Sequence, residues 1–127
     1  MSDRIIISAG DVELEAEIYT NDTGRKVSSI LPITGSVKRW GEEIYFSIPL
    51  SIDEEEDARD LLKEGELGYW PSGEAFCIFF GKTPASRVDE IRAAGNVNVF
   101  GMVLGDAKLF TSIKDGAKIT VTGVDSK

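Results

Sequence analysis

The chain opens on an alternating pattern. Residues 4–8 carry Ile5, Ile6 and Ile7, and Gly10-Asp11 then supplies turn chemistry. The return segment places Val12, Leu14, Ala16 and Ile18 on one face and Glu13, Glu15, Glu17 and Tyr19 on the other. A period of two with one charged face predicts a hairpin whose second strand is half-buried against a core. Asn21-Asp22-Thr23 offers capping groups ahead of Val27, Ile30 and Leu31. That spacing predicts a short amphipathic helix, ended by Pro32.

A second strand pair is predicted at residues 36–40 and 43–48, around Gly41 and closed by Pro49. Residues 51–64 are acidic, and Ala58, Leu61 and Leu62 predict one or two helical turns there. Gly65 and Gly68 interrupt the chain and leave Tyr69 and Trp70 in a loop before Pro71-Ser72-Gly73. Residues 75–80 form the most apolar segment. Period two puts Phe76, Ile78 and Phe80 in the core and Ala75, Cys77 and Phe79 on the opposite face. Residues 86–92 predict a turn of helix ending near Gly95, and residues 97–104 a strand bent or bulged at Gly101. Residues 106–113 suit helix or strand equally, and 118–123 form a last strand after Asp115-Gly116. Many short strands parted by glycine turns, with one or two short helices, predict an all-β fold closed or nearly closed into a barrel. No repeat, low-complexity tract or linker divides it, so residues 1–127 read as one domain.

Composition narrows the chemistry. Asp and Glu number 22 against 14 Lys and Arg, a net charge of −8. Such a chain lacks the basic face that phosphate neutralisation needs, so neither nucleic acid nor an anionic membrane surface is an expected partner. Its apolar runs are too short to cross a bilayer, and no leader pattern opens it. A single Cys77 cannot form an internal disulfide, and the expected setting is the cytoplasm. There is no histidine, which removes Ser-His-Asp and Cys-His catalysis and histidine-ligated zinc. The acidic run at 53–57 lacks the glycine and ligand spacing of a calcium loop and reads as a solvated loop or helix start. With no G-x-G-x-x-G or P-loop either, no metal and no cofactor are expected.

Two stretches resemble cyclophilins. Gly73-Glu74-Ala75-Phe76-Cys77-Ile78 resembles the strand usually written Gly-Ser-Gln-Phe-Phe-Ile. Arg92-Ala93-Ala94-Gly95-Asn96-Val97-Asn98-Val99-Phe100-Gly101-Met102-Val103 resembles Trp-Leu-Asp-Gly-Lys-His-Val-Val-Phe-Gly-Lys-Val at equal length. Gly68-Tyr69-Trp70-Pro71 and Phe79-Phe80-Gly81-Lys82-Thr83-Pro84 are similar to a short prokaryotic cyclophilin-like family, long catalogued as a domain of unknown function. The resemblance implies a closed cyclophilin-like β-barrel.

The departures bear on activity. Cyclophilins build their active site around an arginine in a Phe-His-Arg segment. The matching piece is Tyr45-Phe46-Ser47-Ile48-Pro49, with Ser47 or a neighbour in the arginine's place and no Arg between Glu42 and Ile52. Ala75 replaces the pocket glutamine and Cys77 the phenylalanine; Arg92 replaces the tryptophan, Ala93 the leucine and Val97 the histidine. A cation that hydrogen-bonds the substrate helps weaken amide resonance, and its loss argues against efficient proline isomerisation. The resemblance therefore implies a non-catalytic or weakly catalytic module, with no catalytic residue assigned. It would bind a short peptide or small-molecule ligand through Tyr45, Ser47, Tyr69, Trp70, Ala75, Cys77, Arg92, Ala93 and Val97.

Each of these has a plainer reading beside it. Arg92 either rims the pocket or pairs on the surface with Asp89 or Glu90. Tyr69 and Trp70 either face a ligand or plug one end of the barrel. Cys77 reads as inert, since no histidine activates it and apolar surroundings raise a thiol's pKa. Residues 51–68 are the stretch available to cover the groove. The competing functions are a peptidyl-prolyl isomerase of modest activity relying on Arg92 or Arg87, and an interaction scaffold without a pocket. No pattern sets an oligomeric state.

Overall fold

The computed structural model describes residues 3–124. Strand β1 (Asp3–Ala9) and β2 (Val12–Ile18) form the expected hairpin about Gly10, whose φ of +54° suits a residue without a Cβ. Ile5, Ile7, Ala16 and Ile18 are buried, while Glu13 and Glu15 face outward. Helix α1 (Asp22–Ser29) follows, with the Asn21 side chain accepting from the Gly24 N–H at 2.8 Å.

The expected strand at 36–40 is instead split into β3 (Ile33–Ser36) and β4 (Lys38–Arg39) on either side of Val37, and β5 (Glu43–Ser47) returns beside β4. No helix forms between 51 and 64; the apolar pair Leu61-Leu62 belongs to strand β6 (Arg59–Leu62). Tyr69 and Trp70 lie not in a loop but in β7 (Glu66–Trp70), and β8 (Ala75–Phe79) follows. The expected helical turn at 86–92 is absent. The Thr83 N–H and the Arg92 N–H both donate to Ser86 Oγ at 3.0 Å, so side-chain bonds replace a helical ladder there. The chain enters β9 (Ile91–Leu104) earlier than the apolar pattern indicates. The ambiguous 106–113 segment is a 3-10 helix over Ala107–Ser112, and β10 (Lys118–Gly123) ends the described fold.

All pairings are antiparallel, and the path runs β3-β10-β1-β2-β9-β7-β8-β5-β4, with β6 added to the first half of β9. The pairing does not close into a barrel, contrary to the sequence expectation. Its end strands, β3 and β4, are consecutive in the chain rather than hydrogen-bonded to each other. The reason lies at Val37. Its N–H donates to the Ala117 carbonyl at 2.8 Å and its carbonyl accepts from the Gly116 N–H at 2.7 Å. Both backbone groups are thus committed to the turn before β10, and only the next residues turn to β5.

The sheet nevertheless surrounds one apolar cluster, with Ile7, Ile18, Phe46, Phe76, Phe100 and Val121 among its residues. Phe76 stacks on Phe46 and meets Phe100 edge-on, each pair 5.1 Å between centroids. A second, smaller cluster lies on the other side of β8: Leu62, Ala75, Cys77, Phe79, Ala93 and Val97. The strand thus separates two apolar environments, as its period of two requires. β6 and the start of β9 are what cover the outer one.

Candidate functional site

Glu43, Tyr45 and Ser47 alternate along β5 with the core residues Ile44 and Phe46, so the first three share the outer face. Register pairs Tyr45 with Cys77 and Gly68 with Cys77 on the two sides of β8. Over this surface the start of β9 passes close. A Cβ at Gly68 would stand 2.7 Å from Val97 Cγ2, so only glycine leaves room for that approach. Trp70 extends the same face and packs on Gly73.

Between β5, β8 and the start of β9 lies a cavity of about 200 Å³, lined by Trp40, Glu43, Tyr45, Trp70, Cys77, Ala93, Ala94 and Val97. Its walls are three aromatic rings and small aliphatic groups; its polar groups are the Glu43 carboxyl, the Cys77 thiol, the Tyr45 hydroxyl and the indole N–H groups of Trp40 and Trp70. Glu43 is 6% exposed. Burial pushes its carboxyl up from the ordinary 4.5 to about 7, opposed by a hydrogen bond from the Cys77 thiol. Burial and the neighbouring Glu43 push the Cys77 thiol well above its usual value, so it is a poor nucleophile. Among the described residues no three acidic or thiol side chains converge as a metal-binding group.

Five of the nine residues singled out by sequence line this cavity: Tyr45, Trp70, Cys77, Ala93 and Val97. The other four are placed elsewhere. Ser47 is exposed at the end of β5, beside Ala75, which is buried in the smaller cluster. Tyr69 points into the main core, where its hydroxyl donates to the Leu50 carbonyl at 2.7 Å and accepts from the Ile52 N–H at 3.2 Å. The Arg92 guanidinium turns to carboxylates, with Nη1 2.8 Å from Asp60 Oδ2 and Nε 2.7 Å from Glu90 Oε2. Asp60 is its added partner, brought in by β6.

Trp40 and Ala94 are lining residues that sequence reasoning missed; Glu43, with Glu42 and Glu74, is a carboxylate the sequence puts near this region without counting it among the groove residues. For Glu43 the signal was present, since the alternation that turns Tyr45 outward places Glu43 beside it. Trp40 carries no such periodicity. Its place depends on the tight turn at Gly41, closed by the Trp40 N–H to the Glu43 carbonyl at 3.0 Å.

An antiparallel all-β sheet around one core, with a lined cavity on the outer face of its central strands, defines the class. The family model described as cyclophilin-like matches residues 3–122, and the chain belongs to that family. It is also similar to a hypothetical protein of Archaeoglobus fulgidus, whose solution structure superposes with a TM-score of 0.81. The two are 34% identical, over 97% of this chain and 95% of that one. No curated protein matches it. Among the described residues no helix is long and apolar enough to cross a membrane.

Proposed function

We propose that this chain is a binding module, non-catalytic or weakly catalytic, that takes a short peptide segment or a small ligand in the groove corresponding to the cyclophilin active site. The observation that carries this reading is the cavity itself. Two tryptophans and a tyrosine flank a pocket floored by Cys77 and walled by Ala93, Ala94 and Val97. Rigid aromatic groups bring contact area with few rotamers to freeze, which suits recognition. The same reading takes the sheet as the open counterpart of a cyclophilin-like barrel, supported by its two end strands being neighbours in the chain on either side of Val37. A cytoplasmic setting fits a lone, buried and unpaired cysteine.

The isomerase alternative needs a cation free to hydrogen-bond substrate. Arg92 is the nearest in sequence to the groove residues, and its guanidinium is held by Asp60 and Glu90. Arg87 is outside the cavity lining. Titration of labelled protein with short Xaa-Pro peptides, with exchange spectroscopy on the peptide, distinguishes the readings. The expected result is movement of the Trp40 and Trp70 indole signals without faster cis/trans exchange. Accelerated exchange would make the chain an isomerase with substituted machinery. Unmoved signals would remove proline peptides as ligands.

A further inference from the structure

A carboxyl in an apolar cavity is costly unless a positive charge or several donors meet it. Glu43 has the Cys77 thiol, a weak donor without charge. Lys38 stands opposite Tyr45 across β4 and β5 but does not line the cavity, and four further cations around this part of the fold are committed elsewhere. Arg39 donates to the carbonyls of Gly41, Thr111 and Ile113 and lies over the Phe80 ring. Arg59 pairs with Glu66, Arg92 with Asp60 and Glu90, and Lys108 with Glu42. No Lys or Arg lines the cavity.

Its walls favour a cation on independent grounds. Trp40, Tyr45 and Trp70 bring three aromatic rings to it, and the quadrupole of such a ring attracts positive charge to its face, more strongly where water is excluded. A volume of about 200 Å³ is below the range typical for whole drug-sized ligands, so the cavity suits one inserted group. The net charge of −8 also draws cations toward the molecule.

We infer that this cavity receives an alkylammonium group, a lysine side chain or a small aliphatic amine, with its charge set against the Glu43 carboxylate between Trp40, Tyr45 and Trp70. The inference rests on the binding reading above and names the ligand chemistry for it.

Ionised Glu43 is the state that binds. The titratable groups facing it are Cys77 from β8 and Tyr45 from its own strand; no other ionisable side chain lines the cavity. Affinity is therefore level above about pH 7 and falls by up to about tenfold per pH unit below it, as Glu43 keeps its proton.

The test follows the indole N–H signals of Trp40 and Trp70 in the full chain, titrated with N-acetyl-lysine methylamide, its norleucine counterpart and n-butylammonium. At about pH 8 the lysine amide should bind at least about tenfold more tightly than the norleucine amide, which has a similar apolar stem and no ammonium. Glu43→Gln should remove that preference, so that the lysine and norleucine amides bind the variant alike. Butylammonium binding as well as the lysine amide supports a free amine; a clear advantage for the lysine amide supports a peptide. Equal binding of lysine and norleucine amides would overturn the inference while leaving the binding reading intact. If no probe moves either indole, the inference falls, and the binding reading stands or falls by its own peptide titration. Should Glu43→Gln fail to fold, the unaltered chain decides: a lysine affinity that stays level between about pH 8 and 6 overturns the inference.

Discussion

Gly24 occupies a helical position, where alanine is ordinarily the better residue by about 1 kcal/mol. Here the backbone of the preceding turn reverses that preference. A Cβ at Gly24 would be driven into the Tyr19 carbonyl oxygen and would stand 2.9 Å from Ile18 Cγ2. The peptide before it is fixed to β9, with the Tyr19 N–H bonded to Phe100 O at 2.8 Å, so relief would have to come from turning the Tyr19–Thr20 peptide alone. Gly24→Ala should therefore lower stability by about 1–3 kcal/mol in urea denaturation. An unchanged or raised midpoint would show that the turn yields. Tyr69 illustrates a different residue-scale constraint, since its ring is core and its hydroxyl satisfies two backbone groups of the 50–52 segment. Its aromatic character suggested a ligand contact, but the same character suits a core residue with a polar tip.

The 51–58 segment is ordered without regular structure because side chains from other elements take up its polar groups. Asn98, on β9, accepts from the Glu55 N–H at 2.8 Å and donates to the Asp53 carbonyl at 2.9 Å and to Thr23 Oγ1 at 3.2 Å. Glu55 in turn accepts from the Thr23 N–H at 3.1 Å and from its hydroxyl, placing a carboxylate at the start of α1. Asn98→Ala would strand these groups at once, with an expected loss of about 2 kcal/mol or more and faster amide exchange at Glu55 and Thr23. Protection unchanged at both amides would refute this fastening. These bonds also explain what was legible in the sequence. The β1–β2 hairpin, the Asn21-capped helix and the two faces of β8 follow from local spacing, and local spacing is what a sequence displays. The β6 strand depends on pairing with β9, far along the chain, and an acidic run next to it reads as solvated until Glu55 is seen against Thr23. Gly68 reads as a breaker, yet Val97 requires its small size inside a strand. At the site, Tyr45, Cys77, Ala93 and Val97 were reachable through alternation and the cyclophilin resemblance. Arg92 was drawn aside by Asp60, on a strand the pattern had concealed.

For the whole molecule, two electrostatic terms act in the same direction above pH 5. The net charge of −8 sets like charges against one another, and acidification relieves that repulsion. Glu43 adds a specific term. Its carboxyl is raised in the folded protein from 4.5 to about 7, so the folded state holds a proton that the unfolded chain releases. The stability from that proton is fully present below 4.5 and is lost as pH rises through about 7, a change of about 3 kcal/mol. Glu90 works oppositely. Its hydrogen bond from Arg92 holds its carboxyl below the usual value, so its contribution disappears only as the solution becomes more acidic than an ordinary glutamate's pKa. Stability should therefore rise from about pH 8 to about pH 5 and decline at lower pH. Glu43→Gln isolates the buried carboxyl from the general charge effect. The variant should match the parent within about 0.5 kcal/mol at about pH 4 and exceed it by up to about 3 kcal/mol at pH 8, read from urea midpoints at each pH. Parallel curves for the two proteins would mean that Glu43 ionises as readily as a surface acid. A widening gap would mean that the fold retains, at neutral pH, a carboxyl that weakens it, the kind of stability cost a binding site carries until its ligand arrives.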